Sequence, residues 1–347
     1  MDEFFRLARM RAVSIAALVA SASAYTPHGQ ACQDAVTQGM PFCDPSLPVA
    51  TRAADFISRL TVAEKIGLSG TFTGDICAGV DGGVPRLSVP PLSCLIECTG
   101  AVSSNCYVDE SGISYCPTVF PAPLSVAASF NRSLMYVRGY VTGSEARAFN
   151  NLNVNRVYGN PVDLLAFGPD LNLIVDPRNG RNGENPTEDG YLAGQYAIQY
   201  VHGAQENADD PSRLMLSMAL KHFAGYQSET NRFDSDFAFS AFDLLDTFLV
   251  PYESGFMRGG AVGSMCSYNS LNNVSACADR WLLTSMVREY WQRPDAYVMS
   301  DCGAVEDQFE DKKTASSYAD AAAQSLSAAS TQTCHTHPPA RPPATNP

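Results

Sequence analysis

Asp301 sits in "YVMSDCGAV", the stretch from Tyr297 to Val305, where three apolar residues run into a Ser-Asp pair and a Cys-Gly pair follows. This is the pattern of a short buried strand whose last side chain out of the apolar wall is a carboxylate. An ionised carboxylate held at such a point can attack an electrophilic carbon or move a proton. Lys221 and His222 close the apolar run "LMLSMALKHF" in the same way, and Tyr268 and Asn269 close "AVGSMCSYN". A fourth stretch, "GPDLNLIVDPRNGRNGENPTEDG", sets Arg178, Arg181, Glu184, Glu188 and Asp189 among glycines and prolines. Guanidinium groups there can hydrogen-bond vicinal hydroxyls or hold a carboxylate in place. An internal ion-pair network that stiffens the loop is the competing reading, and polar strand ends can also simply meet solvent. On a regular strand, neighbours such as Lys221 and His222 point to opposite faces. Both reach one site only if the backbone is irregular there.

The elements that must position these residues follow from periodicity. Amphipathic helical stretches are predicted at about 51–67, 133–150, 188–206, 241–258, 280–292 and 316–329, with short apolar runs between them. Strands alternating with helices imply parallel βα units. Over this length, without a nucleotide fingerprint, the expectation is an α/β fold of (β/α)8 TIM-barrel type, with a doubly wound sheet as the alternative. Active sites of such barrels lie at the C-terminal ends of the strands, where Lys221, His222, Tyr268 and Asp301 would converge. The Gly-, Pro- and Cys-rich segment 71–123 is expected to form long loops pinned by disulfides.

The chain has 347 residues, 45% hydrophobic and 17% charged, with a net charge of −13. Nucleic acid and anionic membranes are poor partners for so acidic a chain, and a neutral substrate fits better. Arg6, Arg9 and Arg11 precede an apolar run from Ala12 to Ala20 and the small residues "ASASA", the order of a secretory signal peptide over 1–24. A buried amphipathic helix is the other reading of that stretch. Eleven cysteines agree with export. They fall in close pairs, Cys32 with Cys43, Cys94 with Cys98, Cys106 with Cys116 and Cys266 with Cys277, although spacing alone does not fix connectivity. Zinc at Cys94 and Cys98 has little behind it, because the spacing recurs nowhere and only five His exist. Asn131 and Asn273 lie in glycosylation sequons.

Taken together, "DPRNGRNGENPTEDG", "LKHFAGY", "MCSYNSLNN" and "YVMSDCGAV" occur in the order and spacing of glycoside hydrolase family 3, and "RLTVAEKIGL" and "GVPRLSVPPL…IECTGA" fit upstream. The chain resembles the β-xylosidase branch of that family over about 32–329. The resemblance implies Asp301 as catalytic nucleophile and Arg181, Lys221 and His222 as ligands of sugar hydroxyls in the innermost subsite. It implies Tyr268 beside the anomeric centre, holding the nucleophile, and Glu97 on a distal hydroxyl of the non-reducing sugar. Two positions depart from the pattern: "IECTGA" lacks a Leu-His after Glu97, and Asn179 stands where an aromatic residue is usual.

From residue 331 the sequence, "TQTCHTHPPARPPATNP", no longer resembles the family, and its prolines argue for a disordered tail over 331–347. The expectation is thus a signal peptide, a barrel domain over 25–330 that is incomplete at its C-terminal end, and a separate acid/base domain that is absent. The implied activity is that of a secreted, extracellular, retaining exo-glycosidase releasing xylose from xylo-oligosaccharides. No metal, cofactor, nucleic acid or membrane is implied. A β-glucosidase, an α-arabinofuranosidase and a truncated, non-catalytic sugar-binding pseudoenzyme are the alternatives.

Overall fold

Residues 31–69, 83–89, 96–154 and 162–331 are described by a computed structural model. The expected signal peptide, the tail after Thr331 and Cys94 lie outside the described residues. Five parallel strands form the central sheet: β1 (Ile96–Glu97), β2 (Leu165–Asp170), β3 (Ser217–Phe223), β4 (Gly263–Cys266) and β5 (Tyr297–Ser300). They are hydrogen-bonded in chain order, each parallel to the next. A doubly wound sheet would reverse its order at a switch point, and none occurs among these strands. Helices alternate with them as the periodicity predicts: α3 (Arg132–Asn151), α4 (Gly190–Gln205), α5 (Val250–Met257), α6 (Trp281–Tyr290) and, after β5, α7 (Tyr318–Ser327). Upstream lie α1 (Val49–Arg59) and α2 (Val62–Ser69).

Both faces of the sheet are dry. Met218, Ala219 and Leu220 are all fully buried, which explains why β3 reads as a continuous apolar run rather than an alternating one. One face packs under the helices. The other carries Phe167, Ala219, Met265 and Met299, one residue from each of β2 to β5, as a single apolar layer. Beyond α7, Thr331 lies along β5. Its N–H donates to the Val298 carbonyl at 2.7 Å and its Oγ1 accepts from the Val298 N–H at 2.9 Å.

Some boundaries differ from the sequence expectation, for identifiable reasons. The stretch 51–67 is two helices, because Leu60 is extended and Thr61 starts a new one. The Thr61 hydroxyl accepts from the Glu64 N–H at 3.2 Å, and the Glu64 carboxylate accepts from the Thr61 N–H at 2.8 Å. This capping box was readable in "LTVAE". The stretch 241–258 is broken too: Pro251 lacks an N–H and stands in the first turn of α5, after a wide turn at Leu244–Phe248. The disulfides Cys32–Cys43, Cys106–Cys116 and Cys266–Cys277 form as expected. Cys98 does not pair; it is a buried thiol in the core under the helices. Asn131 and Asn273 are exposed, and Asn131 caps α3 by accepting from the Ser133 and Leu134 N–H groups.

Candidate active site

Side-chain parity builds the site one step above the apolar inner layer. Lys221 lies two residues after Ala219, and Asp301 two after Met299, so each points to the face of that layer. Glu97 is in register with Phe167 on the neighbouring strand. His222 would face the opposite way on a regular strand. The ladder slips between Leu220 and Phe223 on one side of β3 and between Phe167 and Asp170 on the other. The Lys221–His222 peptide is cis. With the register shifts on both sides of β3, Lys221 and His222 both reach the strand mouth, as the adjacent pair required.

The six residues to which the family resemblance assigns roles come together there. Lys221 is fully buried, and its ammonium lies 2.8 and 2.7 Å from the two Glu97 oxygens and 3.4 Å from Glu184 Oε2. Glu184 also receives both arms of Arg181, at 2.7 and 2.8 Å. His222 Nε2 stands 3.7 Å from Asp301 Oδ2. The Tyr268 hydroxyl donates to the Cys302 carbonyl at 2.8 Å, next to Asp301, and the Cys302 N–H donates to Asp301 Oδ1 at 2.8 Å. Cys302 is itself disulfide-bonded. Asn269, the neighbour of Tyr268, serves the backbone instead, donating to the Ala224 carbonyl at 3.2 Å.

The electrostatics follow from this geometry. Burial works to lower the Lys221 pKa, but the Glu97, Glu184 and Asp170 carboxylates outweigh it, and the ammonium is held above its ordinary range. Burial works to raise Glu184, but the Arg181 hydrogen bonds and the Lys221 charge bring it down to about 2. Burial, then the charge of Asp301, pushes the Tyr268 hydroxyl up, so it is a donor at neutral pH. The site therefore presents fixed cations, fixed carboxylates and a phenol donor around one carboxylate at a strand end. Such a set can bind a polyhydroxylated neutral molecule and attack it.

Several participants escaped the sequence reading. Asp170 and Asn172 lie beneath His222, in "GPDLN", where Gly, Pro and Asp look like turn residues. Arg232 stacks over the rings of Phe233 and Tyr268, with its guanidinium carbon 4.7 and 4.6 Å from their centroids. Its Nη1 is 2.8 Å from Glu229, which also takes the Tyr226 hydroxyl. No periodicity marks that loop, although its run of aromatic and charged residues in "GYQSETNRFDSDF" is a signal of a packed loop. Arg178 and Asp176 pair at 2.6 Å, but Arg178 is 89% exposed and the pair stands outside the cluster. Asp189 caps α4. The ion-pair reading of the loop holds: Arg181 pairs with Glu184 beside Lys221, and Arg178 pairs with Asp176.

Comparison with known proteins points the same way. The profile of the glycosyl hydrolase family 3 N terminal domain matches residues 109–330. The chain is 35% identical over 292 residues to beta-xylosidase/alpha-L-arabinofuranosidase 1 of Medicago sativa subsp. varia, covering 82% of this chain and 36% of that protein. It is 36% identical over 283 residues to exo-1,4-beta-xylosidase bxlB of Emericella nidulans, covering 79% and 35%. Among solved structures, a GH3 exo-beta-xylosidase (XlnD) in complex with a xylobiose aziridine activity based probe is similar with a TM-score of 0.76 and 28% identity, over 87% of this chain and 38% of that one. Beta-glucosidase 3B from Thermotoga neapolitana is similar with a TM-score of 0.63 and 25% identity, over 81% and 36%. The chain spans a little over a third of the length of these relatives.

Proposed function

The chain belongs to glycoside hydrolase family 3, and from that premise we propose that it is the nucleophile-bearing barrel domain of a retaining exo-glycosidase, secreted and acting on the non-reducing xylose of xylo-oligosaccharides. The observation that carries the reading is the convergence of Glu97, Arg181, Lys221, His222 and Tyr268 around Asp301 at the strand mouth. In this reading the described sheet is part of a (β/α)8 barrel. Its consecutive parallel order and the apolar layer on the face away from the helices support that.

The roles follow from the chemistry of the groups. Asp301 attacks the anomeric carbon to form a glycosyl-enzyme, and the Tyr268 hydroxyl and Cys302 N–H keep that carboxylate oriented. Arg181 and Lys221, linked through Glu184, and Glu97, held by Lys221, bind sugar hydroxyls with charge-assisted hydrogen bonds. A retaining mechanism also needs a second carboxyl about 5–5.5 Å from the first that is protonated when the leaving group departs. Glu184, held at about 2, stays anionic at neutral pH and is unsuited to that task. The named relatives favour xylose over glucose as the sugar.

The test is to assay the full chain against dinitrophenyl glycosides, whose leaving group needs no proton. The β-xyloside is expected to release dinitrophenolate at least ~10-fold faster than the β-glucoside or α-arabinofuranoside, a discrimination of about 1.4 kcal/mol. A faster β-glucoside would replace the xylosidase reading with a glucosidase one, and no release from any of the three would refute the glycosidase proposal.

A further inference from the structure

His222 is held in a way that the proposed sugar chemistry does not by itself require. Its ring is buried, and two oxygens converge on Nδ1: Asp170 Oδ2 at 3.2 Å and Asn172 Oδ1 at 3.2 Å. Asn172 cannot turn over to offer its nitrogen. Its Oδ1 already accepts from the His222 N–H at 3.0 Å, and its Nδ2 donates to the His222 carbonyl and to the Tyr252 hydroxyl, each at 3.0 Å. The Tyr252 hydroxyl in turn donates to that carbonyl at 2.7 Å. Asp170, also buried, is fixed from the other side by the Asn172 N–H on its Oδ1 at 3.1 Å. A carboxylate has no hydrogen to donate. Two acceptors facing one ring nitrogen place the hydrogen there, so the neutral imidazole carries it on Nδ1 and leaves Nε2 as an acceptor.

We propose that Asp170 is a positioning residue of the sugar site: with Asn172 it locks His222 as the Nδ1–H tautomer, so that Nε2 accepts a hydrogen bond from a substrate hydroxyl beside Asp301. The 3.7 Å between Nε2 and Asp301 Oδ2 is too long for a direct hydrogen bond, and with both atoms acceptors in the neutral form, what belongs against Nε2 is a donor. A sugar hydroxyl is such a donor. A carboxylate does this better than an amide would, since an Asn at 170 could present its nitrogen to Nδ1 and let the hydrogen move to Nε2. The buried acid thus sets the polarity of a ligand whose other nitrogen faces the substrate. The functional half of this inference rests on the glycosidase reading; the tautomer does not.

The test therefore has two arms. The full chain, labelled with 15N-histidine, has only five His, and His222→Gln identifies the ring of interest. In its neutral form His222 should show a proton-bearing Nδ1 and a bare Nε2. In Asp170→Asn the ring should move toward the Nε2–H form, and kcat/KM for dinitrophenyl β-xyloside should fall about 10-fold, the effect of one hydrogen bond to the sugar. A proton on Nε2 in the unsubstituted chain overturns the proposal, whether or not the variant folds. So does an Asp170→Asn variant that keeps the tautomer, with or without loss of activity. If the unsubstituted chain hydrolyses no glycoside, the functional reading fails while the spectrum still decides the tautomer.

Discussion

The seam between α3 and α4 and the cluster at the strand mouth are both buried, yet they are stabilised in opposite ways. At the seam, glycines let backbones touch: a Cβ on Gly139 would lie 2.1 Å from the Tyr200 carbonyl oxygen, and one on Gly203 would lie 2.3 Å from the Tyr136 oxygen. Close backbone packing and apolar burial dominate that contact, and Glu206 at its edge takes the Tyr136 hydroxyl. At the mouth, Lys221, His222 and Asp170 are as dry as the seam, but each is held by a partner of opposite charge or by a hydrogen bond. A buried charge is tolerated only with its partners in place. One region tests shape and the other tests charge, so substitutions in the two should separate stability from activity.

The largest effect is expected at Lys221. Lys221→Ala leaves Glu97 and Glu184 without their shared cation and opens a hole beneath them, at a cost of about 3 kcal/mol together with loss of sugar binding. Thermal melting and calorimetric titration with xylose measure the two. A variant that melts normally and binds normally would place the residue outside the site. Gly139→Ala sharpens the contrast: overpacking against the Tyr200 carbonyl is expected to cost about 1–3 kcal/mol, with kcat per folded molecule unchanged. Loss of kcat without loss of melting temperature would mean that the seam and the mouth are coupled.

The smallest of the three effects is set by pH. The Glu184 carboxyl titrates at about 2 in the folded chain against an ordinary value of 4.5. Its contribution is therefore fully present above about 4.5 and is lost as the pH falls to about 2. Because the group is partly exposed, about 1–2 kcal/mol is expected at neutral pH after allowing for solvent screening. Glu184→Gln should melt below the unsubstituted chain at pH 7, and the gap should close across that acid window. A gap that stays constant with pH would assign Glu184 a steric role instead.

How much of this was legible follows the same division. The alternation of β2 to β5 with their helices could be read because strands dry on both faces form continuous apolar runs. Polar residues closing those runs, at Lys221, His222, Tyr268 and Asp301, pointed to the mouth, the charged loop offered Arg181, and the family resemblance added Glu97. Asp170 and Asn172 were missed because their contribution depends on a register slip that brings two neighbouring strands' ends together, and no local pattern encodes that. Arg232 was missed because its partners, Tyr268 and Phe233, come from different loops. Cys98 was misassigned because close spacing suggested a bridge, whereas its side chain turns into the core.

The central claim is that Asp301 is the nucleophile, and trapping tests it most directly. Mixing the full chain with dinitrophenyl 2-deoxy-2-fluoro-β-xyloside keeps the good leaving group while fluorine slows breakdown of the glycosyl-enzyme. Mass spectrometry of the digested protein should find one fluoroxylosyl group on Asp301, in the peptide containing "YVMSDCGAV", and none in Asp301→Ala. An adduct on Glu184, Glu97 or any other carboxylate, or one that still forms in Asp301→Ala, would contradict the account.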